Sequence, residues 1–184
     1  MTRRFVLVDR DGTINVERNH ITDPDEVELI PGSARALVRV RDDLGMGIVV
    51  VTNQAHVGRG LLSTEGLSRI HDRLRSLLAA EGASVDAIEV CPHAPEDGCS
   101  CRKPAPGLAL RAAERFGFDP ASSIVIGDHA GDMEMGRRIG ATSIHVMTGH
   151  GPEEREAAAA FAEHVASDLA SAVDIIAGLA RTEG

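Results

Sequence analysis

Asp9 and Asp11 stand two residues apart at the end of an apolar run, Phe5-Val6-Leu7-Val8-Asp9-Arg10-Asp11-Gly12-Thr13. In an extended chain, side chains two apart share a face, so the two carboxylates point together and Arg10 points oppositely. Gly12 lets the backbone turn sharply, and Thr13 adds a hydroxyl. The Asp-Gly pair would also serve a hairpin turn. Two more apolar runs end on oxygen-bearing residues: one from Met46 to Thr52, followed by Asn53, and one from Ser123 to Asp128. Taken singly, Thr52 could satisfy a strand end and Asp128 could cap a helix. Gathered on one sheet edge, the carboxylate pair, the hydroxyl and Asp128 make a site for a hard divalent cation and a phosphoryl group. Mg²⁺ suits such oxygen donors, being held by one or two carboxylates with waters and phosphate.

A second cluster is nitrogen- and sulfur-bearing. Cys91-Pro92-His93 is followed after five residues by Cys99-Ser100-Cys101. Three thiolates and one imidazole complete a tetrahedral set for Zn²⁺ with no open position, so the ion would be structural. The other reading is three thiols and an unrelated histidine. Arg102-Lys103-Pro104 follows directly, and Lys103 is the single lysine beside 18 arginines. An ammonium is a compact point charge and a guanidinium a broad planar fork, so a crowded phosphoryl site could admit only the lysine. A solvated loop could equally carry one lysine by chance.

The elements that position these residues alternate in type. Buried-strand runs cover 5–8, 46–52, 87–91, 123–127 and 144–147; helical stripes include Leu37, Val40 and Leu44, then Leu67, Ile70, Leu74, Leu77 and Leu78. Further helices are expected after Pro106-Gly107, around Met133 to Ile139, from Pro152 through the alanines 157–160, and along Leu169, Val173, Ile176 and Ala180. Residues 14–29 read as loop, too short for a capping domain. Strands alternating with helices indicate an α/β fold, a doubly wound, mainly parallel sheet in which Asp9, Thr52 and Asp128 lie along one edge. The expectation is a single capless domain over 1–184 with a zinc-binding loop at 91–107.

Composition narrows the partners. The net charge of −9 argues against nucleic-acid and anionic-membrane surfaces. No apolar run reaches transmembrane length. Three clustered cysteines fit a metal site in a reducing compartment better than a secreted disulfide framework, so a cytoplasmic protein is expected. Aromatics are 2% of the chain, which leaves an aliphatic core.

With these residues assembled, the chain resembles phosphatases of the haloacid dehalogenase superfamily through four segments in order: Asp9 to Thr13, Val51-Thr52-Asn53, Arg102-Lys103-Pro104, and Gly127-Asp128 with Asp132. The resemblance implies that Asp9 attacks phosphorus to form an aspartyl-phosphate. Asp11 would protonate the leaving alkoxide and then deprotonate the hydrolytic water. Thr52 and Lys103 would hold phosphoryl oxygens. Asp9, the backbone carbonyl of Asp11, and Asp128 would hold Mg²⁺, with Asp132 in support. The zinc loop and missing cap are similar to two groups, the heptose-1,7-bisphosphate phosphatases and the histidinol-phosphate phosphatases. Ile14-Asn15, Gln54, Arg59-Gly60 and Ala105-Pro106-Gly107 look more like the former, which implies a small phosphorylated sugar cleaved at its 7-phosphate. Asn53, Arg59 and Arg102 are then the polar groups for a second phosphate or sugar hydroxyls, and a monomer is expected. His129 departs from that group's pattern, which often has Lys or Ser there. A phosphoacceptor signalling domain also uses a doubly wound sheet, Mg²⁺, Asp, Thr and Lys, but here a carboxylate two residues on is placed to hydrolyse the acyl-phosphate. An inactive zinc-stabilised binding domain is the third reading, disfavoured because every catalytic position is filled.

Overall fold

Six short strands pair side by side in one sheet in the computed structural model, which describes residues 3–182. They are β1 (Phe5–Val8), β2 (Gly47–Asn53), β3 (Ala87–Cys91), β4 (Ile124–Gly127), β5 (Thr142–Val146) and β6 (His164–Ala166). The helices between them are α1 (Ser33–Asp42), α2 (Ala55–Gly58), α3 (Thr64–Ala80), α4 (Gly107–Phe116), α5 (Ala130–Ile139), α6 (Gly151–Ala158) and α7 (Leu169–Thr182). All pairs are parallel, in the order β3-β2-β1-β4-β5-β6. Parallel strands need helical crossovers, and these cover both faces, which is why β1, β2 and β4 are apolar without alternation.

Side chains of successive strand residues go to opposite faces. Val6, Val8, Ile48, Val50, Ile124 and Ile126 fill one core with residues of α1, α3 and α7. Phe5, Leu7, Val49, Val51 and Val125 fill the other with residues of α4 and α5. The core is aliphatic as expected, apart from Phe5, which stacks on Phe118 with centroids 4.4 Å apart. Deleting a fully buried side chain such as Leu7 should cost about 2–5 kcal/mol.

The strand order has one consequence for chemistry. The chain leaves β1 toward β2 and β3 and returns on the far side to β4, β5 and β6. Loops after β1 and β4 therefore diverge, opening a crevice beyond the strands' carboxyl ends. Val8 is level with Val50 and Ile126, and the Asp9 amide donates to the Ile126 carbonyl at 2.9 Å. Asp9 and Asp128 thus flank the crevice, each just past its strand.

Several boundaries differ from expectation. The third helix begins as read, its first turn capped by the Ser63 hydroxyl on the Gly66 amide at 3.0 Å. The short α2 and β6 were not expected, because elements of three or four residues show no period. Helix α5 starts at Ala130 rather than near Met133, with Asp132 accepting from the His129 amide at 3.2 Å. Strand β5 runs two residues earlier than expected at its start, and α6 ends at Ala158 within the alanine run. In α7 the buried stripe stops at Ile176, and Ala180 is exposed. Residues 14–29, read as loop, are a structured segment. Asn15 bridges to Asp11 and Leu29, Pro24–Glu26 makes a 3₁₀ turn, and Ile14, Ile21 and Val27 are buried.

Candidate active site

The loops at the switch point bring Asp9, Thr52, Lys103, Asp128 and Asp132 together, all at most 8% exposed. Asp9, Thr52, Lys103 and Asp132 line a cleft of about 360 Å³ whose rim carries Arg59, Arg102, His129 and His150. Lys103 is the hub. Its ammonium donates to the Val51 carbonyl at 2.8 Å and pairs with the charges of Asp9 Oδ1 at 2.8 Å and Asp132 Oδ1 at 2.5 Å. The compact head therefore sits among two carboxylates and a backbone carbonyl.

Three buried carboxylates surround this one cation. Ligand oxygens of Asp9, Asp128 and Asp132 lie within 4.8 Å of one another. Burial pushes the Asp9 carboxyl up to about 7, with Lys103 opposing and Asp132 and Asp11 adding to the rise. Burial, then the charges of Asp9 and Asp132, push Asp128 up to about 8. The same carboxylates hold Lys103 charged, raising it against the effect of its burial. Asp128 accepts the His150 amide on Oδ2 at 2.8 Å, while its Oδ1 is buried with no hydrogen-bond partner. An excess of buried negative charge, an unpartnered oxygen and oxygen-only donors fit a hard divalent cation such as Mg²⁺. Gly12 and Gly149, both at positive φ, let two backbones pass against Asp128, where a Cβ on either would overlap Oδ2.

The Asp11 carboxylate stands outside that oxygen cluster. Arg10 does not point oppositely, as the extended spacing predicted. The backbone turns after Asp9, and the guanidinium folds back to Asp11 Oδ2 at 2.7 Å. Asn15 reaches Asp11 Oδ1 at 2.9 Å and Gln54 reaches Oδ2 at 3.0 Å. Burial would raise the Asp11 carboxyl, but Arg10 and these hydrogen bonds outweigh it and hold it below the usual range. Gln54 also donates to Thr52 Oγ1 at 2.9 Å, tying the loop after β1 to the end of β2. Sequence reasoning gave Asn15 and Gln54 no role; their place beside the motif residues was the available signal.

Asn53 is positioned differently from the expectation of a free substrate ligand. Its amide oxygen accepts the Lys103 amide at 3.1 Å, and its nitrogen donates to the Lys103 carbonyl at 3.2 Å. Both ends of the side chain clasp the backbone that carries the lysine. Arg102, at the cleft rim, reaches the His93 carbonyl at 3.4 Å, and Arg59 stands 3.8 Å from Glu96. His129 lies at the start of α5 with Nδ1 3.5 Å from Glu154.

The thiol–imidazole cluster forms as the spacing predicts. Cys101 Sγ is 3.2 Å from Cys91 and 3.5 Å from Cys99, Cys91 is 3.5 Å from Cys99, and His93 Nδ1 is 3.2 Å from Cys101. A zinc ion about 2.3 Å from each sulfur sets tetrahedral edges of about 3.8 Å. The four side chains thus stand close to the required arrangement. Gly58 of α2 packs on this loop, its amide donating to the Pro92 carbonyl at 2.7 Å.

A family model described as HAD-hydrolase-like matches residues 100–172, from the lysine loop into α7. That is the class the switch-point site and the parallel sheet define: a haloacid dehalogenase-like hydrolase. The D-glycero-beta-D-manno-heptose-1,7-bisphosphate 7-phosphatase of Pseudomonas aeruginosa is 39% identical over 152 residues, 82% of this chain and 85% of that enzyme. The D-glycero-alpha-D-manno-heptose-1,7-bisphosphate 7-phosphatase of Mycobacterium bovis is 40% identical over 141 residues, 75% and 74% of the two chains. The crystal structure of D,D-heptose 1,7-bisphosphate phosphatase from B. bronchiseptica, complexed with magnesium and phosphate, superposes with a TM-score of 0.88 at 35% identity, covering 95% of this chain and 98% of that one. The chain belongs to this haloacid dehalogenase-like family of heptose-1,7-bisphosphate 7-phosphatases.

Proposed function

We propose that this chain removes the 7-phosphate of D-glycero-D-manno-heptose 1,7-bisphosphate through an aspartyl-phosphate on Asp9. The observation that carries the reading is the Lys103 ammonium bound to Asp9 Oδ1 at the sheet's switch point, with a second carboxylate, Asp11, two residues away. Asp9 is the nucleophile and bonds to phosphorus as the ester bond breaks. Asp11 hands a proton to the departing alkoxide, then takes one from the water that attacks the acyl-phosphate. Lys103 and Thr52 hold phosphoryl oxygens and offset the charge that develops there. Asp132 fixes the lysine, and Asn53 fixes the backbone beneath it. Asp9, Asp128 and the Asp11 backbone carbonyl would hold Mg²⁺, which supplies charge neutralisation on the phosphoryl oxygens.

The four-ligand loop would hold a structural Zn²⁺ through Cys91, His93, Cys99 and Cys101, keeping Arg102 and Lys103 in register with the cleft. Residues 1–184 would act as one capless cytoplasmic domain and as a monomer. With no cap, recognition falls to strand-end loops, and Arg59 and Arg102 are the cations on the rim for a second, non-reacting phosphate. The relatives include enzymes named for either anomer at nearly equal identity, so overall similarity carries no anomeric preference. The decisive experiment compares kcat/KM of the purified protein for heptose 1,7-bisphosphate and for histidinol phosphate. The bisphosphate should be preferred; equal or greater activity on histidinol phosphate overturns the assignment.

A further inference from the structure

His71 lies in the middle of α3, outside every motif segment, and is 7% exposed. Its Nε2 is 3.1 Å from Nη1 of Arg10, a side chain only 2% exposed. A guanidinium can only donate, so the imidazole accepts on Nε2 and carries its proton on Nδ1. Burial, reinforced by Arg10 and Arg75, pushes His71 down to about 3, so it stays neutral in any working buffer. The rest of the Arg10 fork faces Asp11. Nε is 3.1 Å from Oδ1 and 3.0 Å from Oδ2, and Nη2 is 2.7 Å from Oδ2. Arg10 thus spans both Asp11 oxygens on one side and is anchored to α3 on the other.

We infer that His71 is a positioning residue: it aims Arg10, and through Arg10 holds the Asp11 carboxylate in the orientation from which it exchanges protons. The inference rests on the aspartyl-phosphate reaction proposed above. Without the imidazole, one buried Arg10 N–H loses its acceptor, which favours a turned fork. A carboxylate displaced by about 1 Å can lower a rate by about 10²-fold.

The damage should fall on one step. In dephosphorylation, Asp11 takes a proton from water as the water oxygen bonds to phosphorus. The bond from phosphorus to Asp9 breaks, its electron pair returns to the Asp9 carboxylate, and inorganic phosphate leaves. In phosphorylation by p-nitrophenyl phosphate the leaving p-nitrophenolate needs no proton. A misaimed Asp11 therefore lets the first step proceed and stalls the second.

The test compares His71→Gln with His71→Asn in the full-length, Mg²⁺-supplied protein on p-nitrophenyl phosphate. Gln carries its amide oxygen out to the Nε2 position, whereas Asn stops one bond short. His71→Gln should keep turnover near that of the parent. His71→Asn should lose about 10- to 10²-fold in kcat with KM little changed, and should release a p-nitrophenol burst approaching one per folded site. Equal kcat in the two variants, or no burst in His71→Asn, overturns the inference. Should neither fold, Arg10→Lys decides: it keeps the charge but cannot span both Asp11 oxygens, so it must show the burst, and its absence overturns the inference. Failure of the unmodified protein to hydrolyse the ester strikes at the proposed reaction instead, which separates the two outcomes.

Discussion

Replacing Lys103 by methionine takes the cation out of a cage of two carboxylates and a backbone carbonyl and leaves the volume almost filled. The side chain is 5% exposed and makes three polar contacts within 2.8 Å. Removing one partner of a buried ion pair costs about 3–5 kcal/mol, because the other charge is left uncompensated. In a chain of this length each kcal/mol moves Tm by about 2–4 °C, so the metal-free variant should melt roughly 6–20 °C lower. Loss of a positioned donor at the phosphoryl group should separately reduce kcat by about 10²–10³-fold. The two effects should respond differently to Mg²⁺, which can neutralise Asp9 and Asp128 and recover part of the Tm but cannot replace the lysine's hydrogen bond. Lys103→Arg keeps the charge, yet its planar fork cannot place three donors on acceptors gathered around one point. It should lose about 10²-fold or more in turnover for that reason. Thermal melting followed by circular dichroism, with phosphate release at saturating substrate, reads both quantities. An arginine variant with most of the parent activity, or a methionine variant with unchanged Tm, would refute the cage argument.

Asp9→Asn should remain folded and lose turnover, since the nearly isosteric amide is no nucleophile; tryptic mass spectrometry of stopped reactions should find phosphate on Asp9 in the parent and none in the variant. The protein should carry one equivalent of Zn²⁺ by metal analysis, lost in a Cys99→Ser/Cys101→Ser double variant together with activity, because Lys103 follows Cys101 by two residues; zinc-free protein with full activity refutes this. Arg102→Ala should narrow the kcat/KM gap between a sugar bisphosphate and the matching monophosphate, and an unchanged gap would remove Arg102 from substrate recognition. Asp9 and Asp128 have folded-state carboxyls raised to about 7 and about 8, above an unfolded value of about 3.9. Their contribution is therefore fully present below pH 4 and is lost as pH rises through 7 to 8, so metal-free protein should lose Tm across that window. The Tm gained on adding Mg²⁺ should grow over the same range in calorimetry, and a pH-independent gain would contradict the assignment.

Much of this molecule is legible in its sequence because short-range rules govern it. Three apolar runs ending at Asp9, Thr52 and Asp128 announce buried parallel strands and hence one shared edge, since side-chain period and crossover geometry leave little choice. The thiol–imidazole loop is equally local: three cysteines and a histidine within 91–101 can meet without help from the rest of the fold. Ser63 capping α3 is read from one residue and its follower.

What tertiary structure alone decides is which of these groups partner one another. The side-chain alternation that sends Arg10 away from Asp11 holds only in an extended chain, and the turn after Asp9 brings the guanidinium back. Asn53 looks like a free amide beside a strand-end threonine, yet the chain beyond the thiol–imidazole loop delivers the Lys103 backbone to both its ends. His71 reads as one more position on an amphipathic helix, and only the packing of α3 near the loop after β1 sets it against Arg10. Strand β6 and helix α2 carry too few residues to show a period, and they exist because β5 and the thiol–imidazole loop offer partners for their backbones. Local patterns specify elements and their ends, whereas hydrogen-bond partners distant in sequence depend on where the packed core places each side chain.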